Sequence, residues 1–298
     1  MNYAKRCRGC DDREANTTDH CCDLRLDGDE LPAGCVGPWS RDKLFYLSRY
    51  CSIFTSGMKN KWRNRVFIDL FCGPGRCRVR PQGDLEDGSP LIALREAFTH
   101  YYFVDISSHC IDALEKRASG MEAVPGKDMK IVCGDANECI DDLVRQIDDL
   151  GPETIGFAFI DPPGIQVHFE TLRRLSTSTR MDLLVNFPLG MNIKRQLKYQ
   201  LKKDPESEVE FDRYFGTNQW RDLCEKDPGG TRRIGQSLLR LYEEQLGSLE
   251  HVYVGDEQAV KNRGVSLYIL VFASKSPRGR EFWEKVTRVD PSGRRRLF

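Results

Sequence analysis

Four acids and two glycines carry the most legible chemistry in this 298-residue chain, each falling at or just beyond the end of a short apolar run. Asp69 opens the stretch Asp69-Leu70-Phe71-Cys72-Gly73-Pro74-Gly75. Gly73 and Gly75 have no side chains, so the backbone there can approach a ligand closely, with Phe71 beside it. A carboxylate at Asp69 can meet a cationic amino group or hold the loop by accepting backbone N–H groups. Asp105, after the second run, is placed to accept hydrogen bonds from ribose hydroxyls. Asp135, after the third and followed by Ala136, is placed to accept one from an exocyclic adenine amine. Singly, each acid fits a helix cap equally well; three after three consecutive runs point to one nucleoside-bearing ligand. The fourth run closes on Asp161-Pro162-Pro163 and a fifth on Asn186-Phe187-Pro188. Either can line a substrate pocket, and either can simply end a strand, because proline stops its continuation.

These residues need a scaffold that delivers them to one edge. Short apolar runs at Val66–Phe71, Tyr101–Val104, Lys130–Cys133, Gly156–Ile160 and Met181–Asn186 read as strands. Helical stretches at 90–99, 108–118, 138–150 and 169–175 separate them. Such alternation predicts an α/β fold, a mostly parallel sheet with helices on both faces. Ligands in these sheets bind beyond the carboxyl ends of the strands, where the acids fall. Ahead of the sheet, Ser40 is expected to cap a helix from Arg41 to Lys59 with one apolar face. Residues 1–34 read as a polar, mostly irregular leader, and 35–298 as one domain with a charged helical insertion at about 190–228. A helix over 235–246 returns to the sheet. His251–Val254 and Val265–Phe272, joined by a polar loop, predict an antiparallel hairpin at its edge, followed by a helix over 280–286.

Composition narrows the classes. Forty-five basic residues balance forty-five acidic ones, so any polyanion site must be a local patch. No apolar run reaches the roughly 20 residues that span a bilayer, and the N-terminus lacks the apolar core of a signal peptide. A cytoplasmic protein with no membrane role is expected, its twelve cysteines free rather than paired. A dinucleotide fingerprint is incomplete: Arg78 stands where the third glycine belongs, and Asp105 lies well past the usual spacing for the acid. No P-loop is present.

The run from Asp69 to Gly75 resembles motif I of class I methyltransferases, and Asp105 and Asp135 match that family's second- and third-strand acids. The terminal hairpin fits its antiparallel seventh strand. The resemblance implies a Rossmann-like fold and S-adenosylmethionine held by Asp69, Phe71, Gly73, Gly75, Asp105, Asp135 and Ala136. From about residue 36 to the C-terminus the chain also looks like a narrower family, the three-Cys-motif partner proteins (TcmP). That likeness runs through Gly37-Pro38-Trp39, Lys43-Leu44, Ile53-Phe54-Thr55, Met58-Lys59, Trp62, Asp87-Gly88-Ser89-Pro90-Leu91, Asn186-Phe187-Pro188, Phe272-Ala273-Ser274-Lys275 and Phe282-Trp283. It implies a neighbouring three-Cys protein as partner.

In methyltransferases that act on exocyclic amines, the position of Asp161-Pro162-Pro163 carries a D/N-P-P turn followed by an aromatic. The carboxylate and the first prolyl carbonyl accept the amine's N–H groups and aim its lone pair, which is orientation and electrostatic work. The resemblance therefore makes Asp161, Pro162 and Pro163 the catalytic candidates. Here Gly164 follows, and Phe187 or Phe169 would have to supply the stacking ring. Asn186 and Phe187 are substrate-lining candidates, with Arg76 and Arg78 beside the cleft as phosphate contacts for a nucleic-acid substrate. Further basic residues flank Trp62 (Lys59, Lys61, Arg63 and Arg65) and recur at Lys194, Arg195, Lys198 and Lys202 around Tyr199, a pattern that suits nucleic acid or a solvated helix face. Cys7-x-x-Cys10 has zinc-ligand spacing, but Cys21-Cys22 beside His20 does not, so no metal is expected. Two functions follow: a methyltransferase acting on a nucleic-acid amine, and a non-catalytic cofactor-binding module working with a three-Cys protein.

Overall fold

The computed structural model describes residues 24–25, 29–79, 83–121, 128–189, 206–226, 232–250, 253–262 and 265–295. Seven strands build the main sheet: β3 (Asn64–Asp69), β6 (His100–Asp105), β7 (Asp128–Cys133), β8 (Thr154–Ile160), β9 (Arg180–Phe187), β10 (Tyr253–Asn262) and β11 (Val265–Ser274). Their order is β10-β11-β9-β8-β3-β6-β7. The five strands β9, β8, β3, β6 and β7 run parallel; β11 pairs antiparallel with β9, and β10 pairs antiparallel with β11. This is the Rossmann-like sheet expected, with its antiparallel hairpin.

Side chains alternate across the strands, so each strand feeds two cores. Phe67, Phe157, Phe159 and Leu184 point to one face, where α1 (Ser40–Met58), α2 (Ser89–Leu94), α3 (Ser108–Ser119) and α9 (Pro277–Thr287) cover them. Val66, Ile68, Ala158, Ile160 and Val185 point to the other, under α4 (Ala136–Asp148), α5 (Phe169–Ser178), α6 (Glu206–Phe215), α7 (Trp220–Lys226) and α8 (Arg232–Ser248). On the α1 face, Tyr50 meets Phe157, Phe272 and Trp283 at 4.6, 4.9 and 5.9 Å between ring centroids. The Tyr50 hydroxyl and the Ser274 hydroxyl donate to opposite oxygens of buried Asp182, at 2.6 and 2.5 Å.

Several local expectations change. Ser40 is the first helical residue of α1, buried and making no cap; the cap position falls on Trp39. The helix expected over 90–99 stops at Leu94, and the polar loop expected at 255–264 is mostly strand, because β10 pairs with β11 through two register irregularities. A second, four-stranded sheet was not anticipated. It joins β1 (Leu24–Arg25), β2 (Pro32–Val36), β4 (Arg76–Val79) and β5 (Asp84–Asp87) in the order β1-β2-β4-β5. Two strands thus arise in the stretch expected to be irregular, because β4 offers β2 a parallel partner. Within the expected insertion, Glu206–Phe215 and Trp220–Lys226 are helical.

Candidate functional site

The turn after β3 is sewn to its neighbours by backbone bonds. Cys72 N–H donates to the Val104 carbonyl at 3.0 Å, and Gly73 N–H to Asp105 Oδ2 at 2.9 Å. Gly88 N–H donates to the Gly75 carbonyl at 2.7 Å. Gly73 has φ +59°, a region that favours glycine, and a Cβ there would meet no atom within 4 Å, so open space faces it. Gly75, at φ +86°, is closed instead: a Cβ would lie 3.1 Å from Leu114. Phe71 is half-buried against the core of the α4 face.

Asp69 is fully buried at the end of β3, on the α1 face. Its Oδ1 accepts from Phe71 N–H at 3.2 Å, while Oδ2 is buried and has no hydrogen-bond partner among the described residues. Burial pushes the Asp69 carboxyl up to about 7. The nearby Ser89 hydroxyl and the Phe71 N–H favour the carboxylate and oppose that rise, and the charges of Asp161 and Asp105 add to it. A buried carboxylate with an unmet acceptor, next to an open glycine turn, suits a cationic amino group.

Asp105 and Asp135 end where expected, and each also does local work. Asp105 Oδ1 accepts from Ser107 N–H at 2.9 Å, so this carboxylate holds both the glycine turn and the entry to α3. Asp135 caps α4 through Asn137 N–H at 2.7 Å, and its Oδ2 accepts nothing among the described residues. Ala136 is buried beneath that cap.

At the end of β8, Asp161 is drawn into a three-residue chain. Asn186 Nδ2 donates to its Oδ1 at 2.6 Å, and the Lys43 ammonium, from α1, pairs with Oδ2. Lys43 and Asp161 are each 16% exposed, so the pair sits at the mouth of the site rather than in the core. Burial by itself would lower the Lys43 ammonium, but the charge and hydrogen bond of Asp161 outweigh it and hold it above its ordinary value. Cys77 and Tyr268 border the pair, and burial pushes the Cys77 thiol up to about 11. Pro162 is buried and Pro163 exposed. Lys43 was legible only as part of a family resemblance; its pairing with a residue 118 positions away had no sequence signal.

Strand alternation separates the two substrate-lining candidates. Asn186, 2% exposed, lies on the α1 face with Oδ1 buried and unpartnered among the described residues. Phe187 points the other way and is fully buried, 5.2 Å from the Tyr242 ring and 6.1 Å from Tyr214. Phe169 is buried against Tyr242 too. Neither ring can stack on a substrate base, so both expectations are corrected: the core of the α4 face holds them.

Arg76 and Arg78 stand on β4 of the small sheet, not on a loop. Arg76 lies 3.7 Å from Asp29 and 3.9 Å from Asp87, which offsets its charge, and Arg78 Nε is buried without a partner among the described residues. A residue with no sequence signal ties this sheet to the glycine turn. Arg117, buried in α3, donates to the carbonyls of Pro74 (2.5 Å) and Pro32 (2.7 Å) and to Asp29 (3.0 Å). Arg80, the 194–202 basic run, and Cys7, Cys10, His20, Cys21 and Cys22 lie outside the described residues. Among those described, no group of three metal-ligating side chains occurs, and no helix is long and apolar enough to cross a membrane.

The chain is similar to protein LPL1258 from Legionella pneumophila at 11% identity, over 85% of this chain and 94% of that one, with a TM-score of 0.49. It is similar to Trm1 from Pyrococcus horikoshii, solved with S-adenosyl-L-methionine, at 15% identity over 80% of this chain and 57% of that one, with a TM-score of 0.41. The methyltransferase domain of a bacterial Hen1 aligns at 11% identity over 77% of this chain and 98% of that one, with a TM-score of 0.40. No family model and no curated protein matches the sequence.

Proposed function

We propose that the chain is an S-adenosylmethionine-dependent methyltransferase whose cofactor turn is Asp69 to Gly75 and whose acceptor site is Asp161, Pro162 and Asn186. The observation that carries this reading is the buried, unmet Oδ2 of Asp69 beside the open Gly73 turn. A cofactor with a cationic amino group fits there, Asp105 and Asp135 fit its ribose and adenine, and when bound it supplies an electrophilic methyl group. Asp105 also fixes the turn through Gly73 N–H, so cofactor grip and turn geometry are coupled. At the acceptor end Lys43 pairs with Asp161 and orients it, and Asn186 presents a buried amide oxygen that an incoming N–H can satisfy. An exocyclic amine in a nucleic acid is the acceptor class that brings such a donor. Calorimetry with S-adenosylmethionine tests the cofactor, and labelled-methyl transfer onto total RNA, DNA and protein tests the acceptor. No cofactor binding at high micromolar concentrations sinks the reading.

One observation favours a second reading, a non-catalytic cofactor-binding partner of a three-Cys-motif protein. Both Asp161 oxygens already accept a bond, from Lys43 and Asn186, and no aromatic follows the two prolines. Cofactor binding without transfer to any fraction selects this alternative.

A further inference from the structure

A cleft of about 380 Å³ opens far from the strand ends described above, lined by Trp62, Pro152, Thr154, Thr179, Arg180 and Lys275. Trp62 precedes β3, Thr154 begins β8, Arg180 begins β9, and Lys275 follows antiparallel β11. The cleft therefore lies at the amino ends of the parallel strands, a full strand length, about 20 Å, from Asp69 and Asp161. Trp62 is half-buried, and the Arg180 guanidinium carbon stands 5.1 Å from its ring centroid. Lys59, Lys61, Arg63 and Arg180 are exposed, and none joins an ion pair among the described residues. Lys275 bonds the Ser176 carbonyl and lies 3.9 Å from Glu250. Arg65 does not contribute, since its guanidinium donates to the Trp62 and Ala97 carbonyls. Two exposed acids adjoin the cleft, Glu153 between Pro152 and Thr154, and Glu250 beside Lys275.

We propose that this cleft binds a segment of single-stranded nucleic acid, one base against Trp62 and neighbouring phosphates on Lys61, Arg63 and Arg180. An aromatic face suits any base, and unpaired cations on either side suit the backbone that carries it. The run from Lys59 to Arg63 extends the charge beyond the cleft, which favours a strand over a mononucleotide. The site shares no residue with the methyl-transfer site. It rests on the preceding reading only in the class of ligand, and it would anchor a substrate strand at a distance from the chemistry.

The test uses the full chain with labelled oligouridylate and oligothymidylate, read by anisotropy over a salt series, and the two sugars separate RNA from DNA. Combined Lys61→Glu, Arg63→Glu and Arg180→Glu should weaken binding at least tenfold and lower the log–log salt slope by about 2, at roughly 0.7 per phosphate lost. Trp62→Leu, with its circular dichroism checked, should cost about tenfold and abolish the quenching of tryptophan emission. Unchanged affinity and slope in the triple variant overturn the proposal, as does failure of both oligonucleotides to bind. Equal, Trp62-dependent binding of polyglutamate overturns it in favour of an acidic protein. Cofactor calorimetry on the same samples keeps the two readings apart: oligonucleotide binding without cofactor binding sinks the methyl-transfer reading alone.

Discussion

Asp69 makes a quantitative prediction because its burial acts on stability and on cofactor affinity in opposite senses. Its carboxyl rises from 3.8 to about 7 in the folded chain, with burial as the leading cause. Below about pH 4 the group is protonated folded and unfolded, and nothing is lost. Between there and pH 7 the unfolded chain ionises first, so stability falls with rising pH, by about 4 kcal/mol in all at 1.36 kcal/mol per pH unit, and then levels off. Asp69→Asn removes that penalty but places an amide N–H where Oδ2 has no partner, a buried donor costing about 1–3 kcal/mol. The variant should therefore be less stable than the parent near pH 4 and more stable by about 1–3 kcal/mol near pH 8, with the sign crossing between. Urea titrations across that range measure it. A cationic cofactor needs the ionised carboxylate, so parent affinity should weaken up to tenfold per pH unit below about 7, with a proton released on binding. Calorimetry in buffers of different ionisation enthalpy reads that proton. Cofactor affinity that stays flat from about pH 5.5 to 8, or survives in Asp69→Asn, would refute the assignment of Asp69 to the amino group.

Asp161→Ala should abolish methyl transfer and leave cofactor affinity within about twofold; full activity in that variant removes Asp161 from the chemistry. Lys43→Met should lower transfer at least tenfold with cofactor binding intact, since Asp161 loses the charge that orients it, and an unaltered rate refutes that role. Arg117→Met breaks bonds to Pro74, Pro32 and Asp29 and should cost about 2–4 kcal/mol in urea, with weaker cofactor binding as the glycine turn loosens. Asp182, pushed up to about 6 by burial against the bonds from Ser274 and Tyr50, predicts that Asp182→Asn gains stability relative to the parent as pH rises from about 4 to 7, checked by thermal melts.

The main sheet was legible because its strands are short apolar runs broken by turn residues, and because each acid marks a strand end. What escaped were contacts that depend on two distant segments. Arg76 and Arg78 read only as basic residues beside the cleft, because β4 is four residues long and its partners are β2 and β5. A strand that short has no period of its own to read. The Lys43–Asp161 pair joins α1 to the end of β8, and Arg117 joins α3 to the small sheet; local pattern encodes neither. Phe187 failed for a simpler reason. It was grouped with Asn186 as a strand end, yet neighbouring residues on a strand face opposite sides, and the apolar one took the core.

The polarity of the Lys43–Asp161–Asn186 chain sharpens what the site asks of a ligand. Lysine ammonium is donor only and an ionised carboxylate is acceptor only, so Asp161 can take Asn186 only through Nδ2. That fixes the amide and leaves Asn186 Oδ1 as a buried acceptor. Asp69 Oδ2 is a second one, on the same face of the sheet two strands away in the order β9-β8-β3. At the strand ends, then, the unmet demand is for donors. A pyrophosphate-bearing cofactor brings acceptors and negative charge and would leave both atoms worse off. A ligand pair with an ammonium at one end and an amine N–H at the other meets both, and this, more than the glycines, favours the proposed methyl-transfer reading over a dinucleotide site on the same kind of sheet.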